Sequence, residues 1–176
     1  MKRLLLLVLA ALFVMSVGYG KGETSKGSPP VITHSFAVEQ GYYGDIWKIY
    51  IEAEDPDGDM LRVISVVQQA GYTRYPPDYI YLKSSEGKRF KGYLQWNTYG
   101  NASYLKEWTN ITLNVSVFDK AGNESNQVVF PFSFESGVYE KAGPPPPFSK
   151  EDSRLGYIRI DLIEPSHQAG GSDRVD

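Results

Sequence analysis

The segment Trp47-Lys48-Ile49-Tyr50-Ile51-Glu52-Ala53-Glu54-Asp55-Pro56-Asp57-Gly58-Asp59-Met60 decides how the rest of the chain is read. In its first half Trp47, Ile49, Ile51 and Ala53 alternate with Lys48, Tyr50 and Glu52. Successive side chains on a pleated strand point to opposite faces, so this run predicts a half-buried strand with Trp47 on the core side. The second half gathers acids around Pro56 and Gly58. Proline fixes φ, glycine permits positive φ, and Asp side chains satisfy nearby backbone groups, so the strand ends in a tight acidic turn.

Outward from this segment the same pattern recurs. Val31-Ile32-Thr33 follows Pro29-Pro30 and reads as a first edge strand, with His34 at its end. Gly41-Tyr42-Tyr43-Gly44 marks a turn. Met60 to Val67 is strand-like but too uniformly apolar for its faces to be assigned from pattern. A loop from Gly71 to Asp78 precedes a short run, Tyr79 to Leu82. Phe90, Leu94 and Trp96 share one face of the next strand, and Ile111, Leu113, Val115 and Val117 form the cleanest alternation of all. Between them lies a polar connection in which Ser103 to Trp108 has the composition of a helical turn. After a second acidic turn, Asp119-Lys120-Ala121-Gly122-Asn123, the residues Val128, Phe130, Phe132 and Phe134 alternate again. Pro131 cannot donate to a ladder, which places that strand at an edge or a bulge.

Short strands separated by turn signals, with no amphipathic helix, predict an all-β protein. The expected fold is an immunoglobulin-like antiparallel β-sandwich of about seven strands spanning residues 29–136. Residues 137–155, with Pro144 to Pro147, read as a Pro-rich linker and 156–163 as an extra C-terminal strand needing an edge to pair with. Residues 164–176 read as a disordered tail. At the other end, Met1-Lys2-Arg3 and the uncharged run Leu4 to Val17 have the form of a signal peptide over residues 1–20, followed by a flexible leader over 21–28. That run is shorter than the roughly 20 residues of a membrane span, so no span is expected in the mature chain. Loss of Lys2 and Arg3 with the signal takes the formal charge from −3 to −5. Localisation is therefore expected to be periplasmic or extracellular.

Composition removes several function classes. The chain has 176 residues and no cysteine, so neither a disulfide nor a thiolate nucleophile or ligand is available. An exported sandwich without a disulfide fits a bacterial source. The sequence pI is about 5.5 and no basic stripe is present, which argues against a nucleic-acid partner. The two histidines, His34 and His167, stand beside no nucleophile motif. A carboxylate pair can cleave glycosidic bonds, and Asp57 with Asp119 is a conceivable pair, but turn roles already account for both. A hydrolase is thus the weakest reading, and the chain is expected not to be an enzyme.

In a sandwich of this type the two acidic turns fall at one end, bringing Asp55, Asp57 and Asp59 toward Asp119. Calcium takes six to eight oxygens, and four carboxylates with loop carbonyls supply enough of them. Ordinary turn chemistry explains the same residues without an ion. No cofactor is required by either reading.

Ala53 to Leu61 resembles the Asp-x-Asp-Gly-Asp-x-Leu turn of bacterial cadherin-like and immunoglobulin-like repeats, and Val117 to Ser125 is similar to their Asp-x-Ala-Gly-Asn-x-Ser hairpin. The resemblance covers residues 29–136. It implies a sandwich used in surface adhesion, in extracellular scaffolds or as a spacer in secreted enzymes. Some relatives bind calcium through the acidic turn, and Asp55, Asp57, Asp59 and Asp119 are the matching positions. This chain has one copy where the resembled proteins have tandem arrays.

The chain holds 13 tyrosines, several in expected loops. Tyr72, Tyr75 and Tyr79 are candidates for stacking on a sugar, or they simply cover the end of the sandwich. The functional expectation is a non-catalytic module for protein–protein interaction, adhesion or envelope structure. The alternative is a carbohydrate-binding module using the loop tyrosines, so the partner is another envelope protein or a glycan.

Overall fold

The structure is a computed structural model that describes residues 27–42, 44–71, 73–98, 110–135 and 143–162. The expected signal peptide, most of the leader, the Ser103–Trp108 turn and the C-terminal tail lie outside the described residues. In chain order the strands are β1 (Val31–Phe36), β2 (Gln40–Gly41), β3 (Ile46–Glu54), β4 (Met60–Gln69), β5 (Asp78–Tyr81), β6 (Arg89–Asn97), β7 (Asn110–Asp119), β8 (Val128–Phe134) and β9 (Arg154–Ile158). One sheet has the order β1-β3-β6-β9 and the other β2-β8-β7-β4-β5. The protein is an all-β, immunoglobulin-like sandwich.

The alternating residues sit where their period demands. Trp47, Ile49, Ile51 and Ala53 of β3 face Leu113, Val115 and Val117 of β7 across the core, and all are buried. The ring centroid of Trp47 lies 5.8 Å from that of Trp96 and 4.5 Å from that of Phe132, so three aromatics close one end of the core. The buried indole N–H of Trp47 donates to the Val38 carbonyl at 2.8 Å, which meets the cost of hiding a polar group.

In strand-letter terms β1, β3 and β6 occupy positions A, B and E, while β4, β7 and β8 occupy C, F and G. β5 pairs antiparallel with β4 as an added C′ strand, so no strand between C and E reaches the slot beside β6. The last strand, β9, fills that slot. It runs parallel to β6, with Leu94 opposite Gly156 and Trp96 opposite Ile158. β2 is likewise parallel to β8. The pairs among the other seven strands are antiparallel, as expected, and only the added β2 and β9 pair in parallel. The physical reason lies in the crossover: residues 143–153 travel back over the outside of the sheet, so β9 starts at the same end as β6 does.

Two expectations are corrected. The extra strand starts two residues earlier than expected, at Arg154. The described part of the expected linker, 143–155, does not hang free: its Phe148 is buried, and Lys91 donates to the Pro147 carbonyl at 3.1 Å. Prolines restrict the backbone but leave it free to pack, and here they pack. Past β9, Ile160 and Leu162 remain buried, and the Ile160 carbonyl accepts the Trp96 indole N–H at 2.9 Å. Burying Ile158, Ile160 and Leu162 contributes about 2 kcal/mol each before entropy is counted. Glycine makes the approach feasible: a Cβ on Gly92 would lie 2.3 Å from the Ser153 carbonyl oxygen. One on Gly156 would lie 2.4 Å from the Ile80 side chain.

Candidate functional site

At one end of the sandwich the two acidic turns meet. Asp119 closes β7 opposite Met60, and the Lys120 N–H donates to the Asp59 carbonyl at 3.1 Å. Asp55 and Asp119 are both buried. The Asp55 carboxylate accepts the N–H groups of Asp57 and Asp59, each at 3.0 Å. The Asp119 carboxylate accepts the backbone N–H of Asn123 at 2.7 Å and its side-chain amide at 2.6 Å. Asp57 accepts the N–H of Ser28, which ties the N-terminal residues of the domain to this end. Gly58 takes φ +74°, the left-handed conformation that lets the turn reverse within a few residues.

The four acids thus converge as their spacing suggested. None of them forms an ion pair with a described residue. Burial, a hydrogen bond shared with Asp55, and the charges of Asp119, Asp55 and Asp57 push the Asp59 carboxyl above its ordinary value. The carboxylates of Asp55, Asp57 and Asp119 accept the chain's own N–H groups, and among the described residues no three acidic or histidine side chains form a set arranged to hold an ion.

The candidate tyrosines separate. Tyr72 lies outside the described residues. Tyr75, expected in an exposed loop, is a core residue whose hydroxyl donates to Gln69. Its backbone N–H pairs with the Val67 carbonyl at 2.8 Å, which pulls the loop inward. Tyr79 is on the surface at 45% exposure. Tyr75 and Tyr79 therefore do not form one stacking platform.

The surface that Tyr79 does belong to is the outer face of the five-stranded sheet. Tyr81 beside it is 64% exposed, and Val129 on the far side is 56% exposed. Between them Arg62 of β4 stands opposite Tyr81 on β5 and Phe118 on β7. Its guanidinium carbon lies 5.2 Å from the centre of the Tyr79 ring and 5.7 Å from that of Phe118. The guanidinium has no hydrogen-bond acceptor among the described residues, and its Nε is buried without a partner. Among outward positions of β4, β5, β7 and β8, Arg62 carries the one formal charge. Sequence reading missed this residue because it sits in the Met60–Val67 run, where period two is lost.

The outer face of the four-stranded sheet differs. Tyr50 stacks on Phe148 with centroids 5.5 Å apart and on Tyr93 at 5.6 Å. Lys91 lies 3.5 Å from Asp152. Burial, then Tyr93 and Asp152, push the Tyr50 phenol above its ordinary value. Glu52 is buried on this face between Arg89 and His34, whose Nδ1 is 3.1 Å from the carboxylate. His34 thus has a carboxylate neighbour in Glu52.

Among the described residues no helix is long and apolar enough to cross a membrane. No family model and no curated protein matches this sequence. Solved structures that are similar to it include two single domains. One is a PKD domain of a peptidase from a Thermoplasmatales archaeon, 14% identical, covering 62% of this chain and 99% of that domain with a TM-score of 0.37. The other is a CARDB domain of a Pyrococcus furiosus protein in complex with di-metal ions, 10% identical, covering 62% of this chain and 94% of that one with a TM-score of 0.35.

Proposed function

We propose that this chain is an exported, non-catalytic immunoglobulin-like module that binds another extracellular or envelope protein through the outer face of its five-stranded sheet. One observation carries the reading: Arg62, set between the rings of Tyr79 and Phe118, has five N–H donors, no hydrogen-bond acceptor among the described residues, and a buried Nε without a partner. A buried or half-buried donor left unmade costs free energy, and a partner carboxylate or carbonyl removes that cost. Protein interfaces are rich in Tyr and Arg and poor in Lys and Glu, which is the composition of this face. The signal-like residues 1–20 support export.

A photo-crosslinking side chain at position 81 tests the proposal in the source cell. One defined protein is expected to be captured repeatedly, and Arg62→Ala is expected to abolish its capture. Capture that Arg62→Ala leaves unchanged sinks the reading. Saturable binding to a glycan array that is lost in a Tyr79→Ala, Tyr81→Ala double variant would replace it with the carbohydrate-binding alternative.

A further inference from the structure

The covered face holds a second opening, on the side of the sandwich away from Arg62. Phe36 and Val38 line it from the end of β1, Ile46 and Lys48 from β3, and Pro144 and Lys150 from the segment that crosses the sheet. Its volume is about 330 Å³, at the small end of the range for pockets that take small organic ligands. Most of this lining is apolar, and Ile46 is 54% exposed within it. An exposed isoleucine beside a phenylalanine and a proline is the kind of surface that gains from being covered.

The charges on the lining have one sign. Lys48 and Lys150 are its two charged residues, and neither forms an ion pair with a described residue. The Lys48 ammonium sits 4.3 Å from the centre of the Tyr93 ring, which positions it without neutralising it. The neighbouring cation, Lys91, is already engaged by Asp152 and the Pro147 carbonyl. Two ammonium groups with no ion-pair partner among the described residues, beside an apolar floor, complement a molecule that is apolar along its body and anionic at one end.

We infer that this groove binds a small amphiphilic monoanion, an aliphatic or aromatic carboxylate whose body lies on Phe36, Val38, Ile46 and Pro144 and whose carboxylate lies between Lys48 and Lys150. The ligand is a free carboxylate and not part of a bilayer, since the crossing segment walls the groove on one side and a bilayer would have to meet that wall. The site is independent of the protein-binding face, so it stands or falls separately.

Titration calorimetry of the full chain with octanoate, with octanol and with vesicles containing anionic lipid tests the inference. Saturable binding of one octanoate is expected, with octanol weaker by about tenfold or more because the ammonium groups gain nothing from it. The double variant Lys48→Gln, Lys150→Gln is expected to weaken octanoate by a similar factor and to leave octanol unchanged. Ile46→Asp is expected to abolish both. An unchanged thermal melt in each variant establishes that the fold is intact. Absence of saturable octanoate binding overturns the inference. So does equal binding of octanoate and octanol, or binding seen with anionic vesicles alone.

Discussion

The outer face of the four-stranded sheet presents Lys48, Glu52, Arg89 and Lys91 along β3 and β6, and residues 143–153 lie across it. The outer face of the five-stranded sheet carries Arg62 as the one charge among the outward positions of β4, β5, β7 and β8 and keeps Tyr79, Tyr81 and Val129 exposed. Both faces carry aromatic rings, so ring content does not separate them. What differs is the supply of partners. On the first face Lys91 meets Asp152 and Tyr50 meets Phe148, both contributed by the same chain. On the second, Arg62 meets two rings and no hydrogen-bond acceptor among the described residues. A face that satisfies itself contributes to stability.

Removal of the crossing segment should break this contrast most severely. A chain ending at residue 142 loses β9, the acceptor for the Trp96 indole, and the buried Ile158, Ile160 and Leu162. With about 2 kcal/mol per aliphatic side chain at stake, against a total stability of about 5–15 kcal/mol, it is expected to be unfolded or molten at 37 °C. Near-UV circular dichroism checks this. A native melt for the shortened chain would mean that 143–162 is ornamental.

Gly92→Ala is a finer probe of the same C-terminal segment, whose Ser153 approaches the inner side of β6. Alanine normally stabilises a strand relative to glycine by about 0.5–1 kcal/mol. Here its Cβ meets the Ser153 carbonyl, so a loss of about 1–3 kcal/mol is expected, read by urea denaturation. A gain would show that β9 does not press on β6.

The open face should respond in the opposite way. Tyr81→Ala and Arg62→Leu are expected to change stability by about 0.5 kcal/mol or less, because the first is exposed and the second removes a donor that has no partner. Their cost is expected in partner capture alone. A large drop in melting temperature would move these residues from recognition to folding.

The acidic end should give the smallest effects. Asp59 has a folded-state pKa raised above its ordinary value, so the folded chain holds this proton more tightly than the unfolded one. Its ionisation therefore costs stability as pH rises through the raised value, and that cost is absent below the ordinary value. Asp59→Asn is expected to be slightly stabilising at pH 7, with the gain shrinking as pH falls through the raised value. Paired urea melts across that range check the sign. Because Asp55 and Asp119 already accept backbone donors, the melting temperature is expected to be the same in millimolar calcium and in chelator. A rise in calcium would instead establish Asp55, Asp57, Asp59 and Asp119 as an ion site.

Period-two patterning in β3, β7 and β8 was enough to assign their inner faces, because alternation belongs to the pleat and needs no knowledge of neighbours. The acidic turns, and their meeting at one end, were legible for the same local reason. Other features were decided by contacts distant in sequence. Tyr75 is buried because its loop pairs back onto β4, although its flanking prolines read as surface. Arg62 faces outward because β4 takes its register from β5 and β7 together. β9 fills the strand-D slot because β5 went to the other sheet, leaving the edge of β6 unpaired. The sequence by itself determined that this is a β-sandwich with one acidic end, since side-chain period and turn chemistry are local. Only the tertiary structure decided which outer face residues 143–153 cover and which carries exposed Tyr79, Tyr81 and Val129. That choice depends on charges and rings brought together from strands far apart in the chain.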